Sequence, residues 1–186
     1  MPARPRPSDP GDTGGRKAPL LARFIATGAY CGYVPWASGT VGSAAGLLIC
    51  LIPGVSAPPA LSALIVGMFF AGRWAAQRVA LADGHALQGT AAAAKRIFQE
   101  GPAPHPDPSI VVIDEIVGMW TALLFLPNEL PALLVAFTAF RMFDIVKPPP
   151  VARLERAGRG WGIMLDDVAA GIYANAVTHV TLWLIG

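Results

Sequence analysis

The longest uncharged stretch of the chain is residues 24–72, which read FIATGAYCGYVPWASGTVGSAAGLLICLIPGVSAPPALSALIVGMFFAG. These 49 residues contain no Asp, Glu, Lys or Arg. A helix on the surface of a soluble protein needs a polar face, so a run of this length indicates helices in a bilayer or in a very apolar bundle. Glycines at 39 and 42, and Pro-Gly and Pro-Pro pairs at 53–54 and 58–59, interrupt the run. It therefore predicts several helices rather than one.

Apolar segments elsewhere extend the same pattern. Residues 116–128 and 130–140 are separated by Glu129 and predict a helical hairpin, and the uncharged 19-residue segment 168–186 is just long enough to cross a hydrocarbon core. Further helices are predicted at about 20–32, 43–52 and 59–82. The apolar runs are rich in Ala, Leu and Gly and are longer than strands. The expected fold class is all-α: a compact multi-helix bundle with several apolar helices, embedded in a membrane or associated with one.

The composition of the whole chain supports this expectation. Of its 186 residues, 54% are apolar and 14% are charged, against roughly 45–50% and about 25% in soluble domains. The net charge of +2 leaves no excess of basic residues for a nucleic-acid backbone, so we expect no nucleic-acid partner. The two cysteines, Cys31 and Cys50, exclude a disulfide scaffold.

Two polar segments flank or interrupt the predicted helical domain, which covers residues 20–186. Residues 1–19 are basic and rich in proline, with no apolar segment typical of a secretory signal, and we expect a flexible tail on the cytoplasmic side of a membrane. Residues 84–109 are rich in Gly and Pro around a short helical piece at about 90–99. We expect an exposed loop there, either a lid or a solvated linker.

Five of the 12 acidic residues stand within apolar sequence, namely Asp114, Glu115, Asp144, Asp166 and Asp167. Burying an isolated carboxylate costs several kcal/mol even after relaxation, so adjacent carboxylates in such a chain indicate a compensating cation. Carboxylate oxygens favour Mg²⁺, Mn²⁺ or Ca²⁺. The alternative is that each pair caps a helix N-terminus, which would explain one residue of each pair but leave the second unexplained.

A glycine follows one carboxylate of each pair at the same spacing. Gly118 comes four residues after Asp114, and Gly171 comes four residues after Asp167. Positions four apart are neighbours on a helix face, so each glycine leaves space beside a carboxylate for a metal ion or a substrate. Close packing between helices is the alternative explanation for these glycines.

A third charged cluster consists of Arg141, Asp144 and Lys147, which steps of three place along one slowly drifting helix face. One interpretation is a ladder of ion pairs within the helix. The other is that Asp144 supports a metal site while Arg141 or Lys147 holds a phosphate.

The segment at 37–43 predicts a glycine-rich loop that leads into a helix. Its glycines free the backbone, Thr40 and Ser43 supply hydroxyl groups, and the following helix offers unpaired N–H groups to an anion. A phosphate-binding loop is one interpretation. A simple turn with Ser43 as the helix cap is the other.

Four sequence blocks in order resemble the phosphatidylglycerophosphatase A family. They are 35–43 (Ser38-Gly39-Thr40-Val41-Gly42-Ser43), 107–118 (Ile113-Asp114-Glu115-Ile116-Val117-Gly118), 140–148 (Arg141-Met142-Phe143-Asp144-Ile145-Val146-Lys147) and 160–167 (Gly160-Trp161-Gly162-Ile163-Met164-Leu165-Asp166-Asp167). The resemblance covers about residues 20–186, with 84–109 as an insertion. It implies a helical, Mg²⁺-dependent lipid phosphatase of the bacterial inner membrane. Its substrate would be phosphatidylglycerophosphate and its products phosphatidylglycerol and phosphate.

The resemblance and the residue patterns together define a candidate site that faces the cytoplasm. The expected catalytic residues are Asp114, Glu115, Asp144, Asp166 and Asp167. The expected Mg²⁺ ligands, for one or two ions, are Asp114, Glu115, Asp166 and Asp167. The expected phosphate-binding residues are Thr40, Gly42, Ser43, Arg141 and Lys147. The sequence leaves open whether water or an Asp carboxylate attacks phosphorus, and it does not indicate the oligomeric state.

Two alternatives from other classes explain part of the pattern. A small transporter or proton-coupled membrane protein would also carry carboxylates among apolar helices, but it would not explain the glycine–hydroxyl segment together with Arg141 and Lys147. A soluble helical phosphatase acting on a water-soluble phosphate would not explain the uncharged run at 24–72.

Overall fold

The computed structural model of the chain describes residues 18–34, 37–82, 111–149, 151–154 and 161–185. The predicted tail at 1–19 lies outside these residues except for Ala18 and Pro19, and the predicted insertion at 84–109 lies outside them entirely. Both remain predictions.

The regular structure of the described residues is helical, without a β-strand, which confirms the predicted all-α class. The helices are α1 (Leu20–Ala26), a 3-10 turn (Cys31–Tyr33), α2 (Ser38–Cys50), α3 (Pro58–Ala82), α4 (Ile113–Leu123), α5 (Leu130–Val146), α6 (Val151–Leu154) and α7 (Trp161–Ile185). The predicted hairpin is α4 and α5.

The glycine-rich segment before α2 differs from its prediction as a loop. Helix α2 begins at Ser38, so Gly39, Gly42 and Ser43 lie within its first two turns. The chain bends earlier, at Ala37, whose φ of 63° is left-handed. Both glycines face neighbouring elements at short distance, since a Cβ atom at Gly39 would lie 2.8 Å from Glu115 Oε1 and one at Gly42 would lie 3.0 Å from Val112 Cβ.

Helix α1 also differs from its prediction, because it ends at Ala26 rather than near residue 32. Gly28, Ala29 and Tyr30 have φ values between 53° and 71°, which cannot continue a right-handed helix. The hydroxyl group of Thr27 accepts a hydrogen bond from the backbone N–H of Tyr30 at 3.1 Å and stabilises this bend.

Helix α4 is the centre of the bundle and packs against α2, α3, α5 and α7. Nine of its 11 residues are buried, as expected for a helix that is apolar on all sides. The Trp120 indole N–H donates to the carbonyl oxygen of Gly46 in α2 at 2.9 Å. The Asn175 side chain of α7 donates to the carbonyl oxygens of Ala122 and Leu124 at 3.0 and 2.7 Å, which satisfies the C-terminal end of α4.

The sequence suggested that the glycines that follow the carboxylates leave space for a ligand, but in the structure they face a neighbouring helix. A Cβ atom at Gly118 would lie 2.6 Å from the Phe140 ring, and a Cβ atom at Gly171 would collide with the carbonyl oxygen of Gly118. These positions therefore hold no vacancy. The alternative is confirmed, because the two glycines let α4 and α7 cross in close contact.

The ends of the helices fall into two groups. The loops after α2 and α4 meet at one end, where Asn128 donates a hydrogen bond to Ser56 at 3.0 Å. The first turns of α2 and α4, the N-terminal part of α7 and the C-terminal part of α5 meet at the other end, which holds the acidic residues of α4, α5 and α7. We refer to it as the carboxylate end.

Within the described part of the chain, two helices are long and apolar enough to cross a membrane, namely residues 58–79 of α3 and 161–185 of α7. At 1.5 Å per residue they measure about 33 and 38 Å, against a hydrocarbon core of about 30 Å. Only 22% of each apolar window is buried inside the protein. Large apolar side chains on the outer surface of α3 and α7 are exposed, among them Val66, Phe70, Ile172, Val180 and Trp183. Such a surface is typical of a protein that associates with a membrane.

Candidate active site

Three carboxylates from two helices come together at the carboxylate end. Asp114 and Glu115 lie in the first turn of α4, and Asp167 lies in the second turn of α7. One oxygen atom of each carboxylate lies within 4.8 Å of the others. Asp114 and Asp167 each precede by one turn the glycine at which the two helices touch. The glycine contact therefore sets the distance between the carboxylates.

The capping explanation does not hold for the second acidic pair. Asp166 and Asp167 are the sixth and seventh residues of α7, beyond the first turn where a cap acts. Asp114 and Glu115 do lie in the first turn of α4, where the positive end of the helix dipole favours acidic side chains. Asp114 accepts a hydrogen bond from the Glu115 backbone N–H at 3.1 Å.

The three clustered carboxylates are poorly solvated. Asp114 is 8% exposed and Asp167 is 4% exposed, and the Glu115 Oε2 atom is buried without a hydrogen-bond partner among the described residues. Burial raises the pKa of Asp114 well above its usual range, and the charges of Glu115 and Asp166 raise it further. Burial likewise raises the pKa of Glu115 to about 7. The charges of Asp167 and Asp144 add to this effect, and a hydrogen bond with Asp114 partly offsets it.

Asp144 of α5 links this cluster to a basic side chain. Its Oδ2 atom lies 2.8 Å from Nη1 of Arg141 one turn earlier, and its carboxyl group is close enough for its charge to act on Asp167 and Glu115. The two interpretations of the α5 cluster are therefore compatible. Asp144 forms an ion pair within its helix and also borders the three carboxylates.

Asp166 is held by Lys147 instead of joining the three clustered carboxylates. The Lys147 Nζ atom lies 2.6 Å from Asp166 Oδ2. Lys147 ends α5 with a left-handed φ of 46°, followed directly by the prolines at 148 and 149, so its side chain leaves the helix beside α7. This salt bridge fixes the C-terminal end of α5 on the N-terminal part of α7.

The α2 segment contributes one hydroxyl group and two close backbone contacts. The Ser43 hydroxyl group is buried, donates to the Gly39 carbonyl oxygen at 2.8 Å and accepts from Arg141 Nη1 at 3.4 Å. Gly42 packs against Val112 and the Cβ atom of Glu115. Thr40 lies on the exposed side of α2.

Gly39 is a site residue that the sequence analysis did not select. A Cβ atom there would lie 2.8 Å from Glu115 Oε1 and 3.1 Å from both terminal nitrogens of Arg141. Its backbone therefore lines the gap between the acidic cluster and the arginine. The signal in the sequence is its position four residues before Ser43, on the same face of α2.

The donor set fits a hard divalent cation. Three carboxylates that approach one another to within 4.8 Å repel each other unless they are protonated or share a cation. Arg141 pairs with Asp144 and Lys147 pairs with Asp166, so these two basic side chains lie at the rim of the cluster. The unpartnered Glu115 oxygen adds a second and independent observation. Oxygen ligands of this kind suit Mg²⁺, Mn²⁺ or Ca²⁺.

Comparisons with known proteins identify the family of the chain. The family model of phosphatidylglycerophosphatase A matches residues 90–182. A Bacteroides thetaiotaomicron protein, provisionally named a phosphatidylinositol-3-phosphatase, is 34% identical over 179 residues, covering 92% of this chain and 99% of that protein. No solved structure matches.

Two shorter matches carry the family's name. The phosphatidylglycerophosphatase A of Haemophilus influenzae is 40% identical over 82 residues, covering 42% of this chain and 50% of that protein. The phosphatidylglycerophosphatase A of Escherichia coli is 36% identical over 75 residues, covering 39% and 44%. With half of its length matched by the family model and nearly all of it aligned to a relative, the chain belongs to the phosphatidylglycerophosphatase A family.

Proposed function

We propose that the protein hydrolyses the phosphate monoester of phosphatidylglycerophosphate, releasing phosphatidylglycerol and inorganic phosphate. The observation that carries the proposal is the cluster of Asp114, Glu115 and Asp167 at one end of two membrane-length helices, bordered by Arg141. A phosphate on a lipid headgroup would reach such a site from the membrane surface. Family membership also favours a phosphatase over the transporter that the same carboxylates suggested.

The substrate rests on the names of the relatives. The family and two relatives are named for phosphatidylglycerophosphate, whereas the Bacteroides thetaiotaomicron relative is named for phosphatidylinositol 3-phosphate. Both substrates are phosphate monoesters on the headgroup of a glycerophospholipid. Phosphatidylinositol 3-phosphate is therefore the second candidate, and hydrolysis of a phospholipid monoester is common to both.

Asp114, Glu115 and Asp167 are the residues that would hold a divalent cation, which we propose is Mg²⁺, and Asp166 and Asp144 border them. When bound, such an ion supplies positive charge opposite the phosphoryl oxygens and Lewis acidity for hydrolysis. The carboxylates themselves would orient the attacking group, either a water molecule or one of the Asp carboxylates. Recovery of an acyl phosphate from the reacting protein would favour the carboxylate route.

Arg141 is the proposed partner of the phosphoryl oxygens, with Lys147 at the other side of the cluster. The guanidinium group is oriented by Asp144 at 2.8 Å and by Ser43 at 3.4 Å, so its planar fork is ordered before a substrate binds. Such preorganised donors stabilise charge that develops in a transition state. Gly42 lets α2 approach closely enough to bring Ser43 to this position, and exposed Thr40 would contact the headgroup from the rim.

The carboxylate end is the proposed cytoplasmic face of the bacterial inner membrane. Arg141 and Lys147 lie at this end, and Arg73 follows Gly72, which packs against Ile113 and Met164 there, whereas the loops at 51–57 and 124–129 contain no Lys or Arg. Basic residues are enriched in the cytoplasmic loops of membrane proteins. A substrate made on the cytoplasmic side would meet the site directly.

The experiment that tests the substrate compares two lipids in one assay. The purified full chain in detergent is given phosphatidylglycerophosphate or phosphatidylinositol 3-phosphate with Mg²⁺, and released phosphate is measured. We expect a kcat/KM at least about tenfold higher for phosphatidylglycerophosphate, which corresponds to about 1.4 kcal/mol of transition-state binding. A preference for phosphatidylinositol 3-phosphate would overturn the substrate, and no release from either lipid would overturn the function.

A further inference from the structure

We propose that Arg73, held against the indole ring of Trp161, binds the phosphodiester group of the lipid substrate. This inference rests on the proposed function and extends it, because phosphatidylglycerophosphate carries two phosphates. The monoester is the group to be hydrolysed. The diester joins the headgroup to the acylated glycerol and lies nearer to the membrane.

Arg73 lies at the level of the acidic cluster. The neighbouring Gly72 is buried, with its Cβ position 3.0 Å from the side chain of Ile113 and 3.2 Å from Met164. Ile113 directly precedes Asp114, and Met164 precedes Asp166 by two residues. The C-terminal half of α3 therefore packs beside the turns of α4 and α7 that carry the carboxylates.

An aromatic contact fixes the position of the Arg73 side chain. Its guanidinium carbon lies 4.2 Å from the centre of the Trp161 ring, and the centre of the Phe69 ring lies 5.9 Å from that of Trp161. Phe69 and Arg73 are one turn apart on α3, so together they hold the first residue of α7. The flat face of the guanidinium group is covered by the indole ring, which leaves its N–H edge for hydrogen bonds.

Among the described residues, the polar atoms of Arg73 have no hydrogen-bond or ion-pair partner. Its Nε atom is buried without a hydrogen bond, and within the described ranges no carboxylate pairs with this side chain. An arginine in a membrane-length helix usually pairs with an acid or with backbone carbonyls, so an unpaired one indicates a ligand. The three donor nitrogens of a guanidinium group match the oxygens of a phosphate ester.

The surroundings of Arg73 identify which phosphate it would meet. Phe70 and Trp74 flank it on α3 and are exposed on the outer, apolar surface. Arg141 lies on α5 beside Gly39 of α2, whereas Arg73 lies on α3, which packs against α4 and α7. With the monoester between the carboxylates and Arg141, the part of the lipid nearer its acyl chains would extend towards α3. The group that Arg73 meets there is the diester.

The test compares Arg73→Gln with Arg78→Gln in the purified full chain in detergent micelles. Arg78 is a matched control, because it lies on the same helix 5.7 Å from the ring of Trp74 and is exposed. Phosphate release from phosphatidylglycerophosphate is measured, with phosphatidylglycerol or inorganic phosphate as competing inhibitor. Phosphatidylglycerol has the diester but no monoester, and inorganic phosphate probes the monoester position alone.

For Arg73→Gln we expect the KM for the substrate and the inhibition constant of phosphatidylglycerol to rise by about tenfold, with kcat within about twofold. The inhibition constant of inorganic phosphate should not change, and Arg78→Gln should behave as the unmodified protein. Arg73→Lys, which keeps the charge but loses the planar fork, should fall between them. If the melting temperature shows that Arg73→Gln does not fold, Arg73→Lys alone is compared with Arg78→Gln and the unmodified protein.

Three results would contradict the inference. The first is that Arg73→Gln and Arg78→Gln have the same KM and the same inhibition constants. The second is that the inhibition constants of phosphatidylglycerol and inorganic phosphate rise equally in Arg73→Gln. The third is that kcat of Arg73→Gln falls at constant KM. If the unmodified protein releases phosphate and Arg73→Gln gives any of these results, the role of Arg73 is overturned and the proposed function stands. An unmodified protein that releases no phosphate overturns both.

Discussion

At the scale of single residues, the site is defined by carboxylates that the folded chain buries next to one another. Asp114 and Asp167 are almost completely buried, and a Glu115 oxygen lacks a hydrogen-bond partner in the described part of the chain. Buried like charges destabilise a fold unless a cation or protons neutralise them. Their presence in a chain with 14% charged residues indicates selection for a ligand rather than for stability.

Replacing a clustered carboxylate should therefore abolish activity without destabilising the protein. We expect Asp114→Asn and Asp167→Asn each to lower kcat/KM by at least about 100-fold, equivalent to about 2.7 kcal/mol of transition-state stabilisation. In the absence of divalent cations their melting temperatures should equal or exceed that of the unmodified protein, because each substitution removes a repulsive charge. Glu129→Gln, at an exposed carboxylate of the opposite end, is the control and should change neither quantity. Full activity in both Asp variants would contradict the assignment.

The raised pKa of Glu115 predicts a specific pH dependence of stability. Its pKa is about 7 in the folded protein and near 4.5 when unfolded, so the folded state binds more protons between these values. The contribution of Glu115 to stability is therefore fully present below about pH 4.5 and is lost as the pH rises through 7. In chelator, the melting temperature should fall between pH 5 and pH 8, and Glu115→Gln should flatten this fall. An increase in melting temperature over the same range would contradict the account.

At the scale of helices, the sequence patterns predicted where the helices lie better than they predicted which residues of different helices are in contact. Apolar segments predicted the main helices, because length and composition are local properties. The first turns of α2 were predicted as a loop, since glycines at 39 and 42 favour turns when read locally. In the folded chain these glycines lie against Glu115, Arg141 and Val112, which are distant in sequence. For the same reason the sequence left open whether Gly118 and Gly171 leave space for a ligand or allow close helix packing, and the fold shows the packing.

The site residues followed a similar division. Residue type and spacing selected Asp114, Glu115 and Asp167, which the fold brings together. They did not reveal that Asp166 would pair with Lys147, nor that Gly39 would line the site, because both depend on how α2, α5 and α7 are placed around α4.

The contact between α4 and α7 gives a prediction at this scale. Gly171→Ala should destabilise the protein by about 2 kcal/mol or more and also lower activity, because the added methyl group forces apart the helices that carry Asp114 and Asp167. Gly67→Ala is the matched control, since a Cβ atom at Gly67 in α3 would meet no atom within 4 Å. That control should stabilise the protein by about 0.5–1 kcal/mol, through helix propensity alone. Chemical or thermal denaturation in detergent measures both, and equal effects of the two substitutions would contradict the close packing.

At the scale of the whole molecule, the distribution of charge explains why one end of the bundle carries the chemistry. Three helices bring their N-terminal parts to the carboxylate end, and the described loops at 51–57 and 124–129 lie at the opposite end. Apolar side chains cover the outer surface of α3 and α7 between the two ends. A phospholipid held in the same membrane would present its headgroup at the level of the site.

This arrangement predicts which end is accessible from each side of the membrane. A cysteine introduced at Thr40, at the carboxylate end, should react with an impermeant maleimide only when the cytoplasmic face is open. A cysteine at Asn128, in the loop after α4, should react from the opposite face. Both are measured in sealed vesicles of known orientation, on a background in which Cys31 and Cys50 are replaced by Ala. Labelling of both positions from one side would contradict the membrane arrangement.

The most direct test of the central claim is phosphate release from phosphatidylglycerophosphate as a function of divalent cation. The full chain is purified in detergent, stripped with a chelator and titrated with Mg²⁺, while released phosphate and the melting temperature are followed together. We predict no release in chelator, recovery of activity on addition of Mg²⁺, and a parallel rise in melting temperature that Asp167→Asn weakens. Phosphate release that persists in chelator, with a melting temperature indifferent to Mg²⁺, would contradict a metal-dependent lipid phosphatase built on Asp114, Glu115 and Asp167.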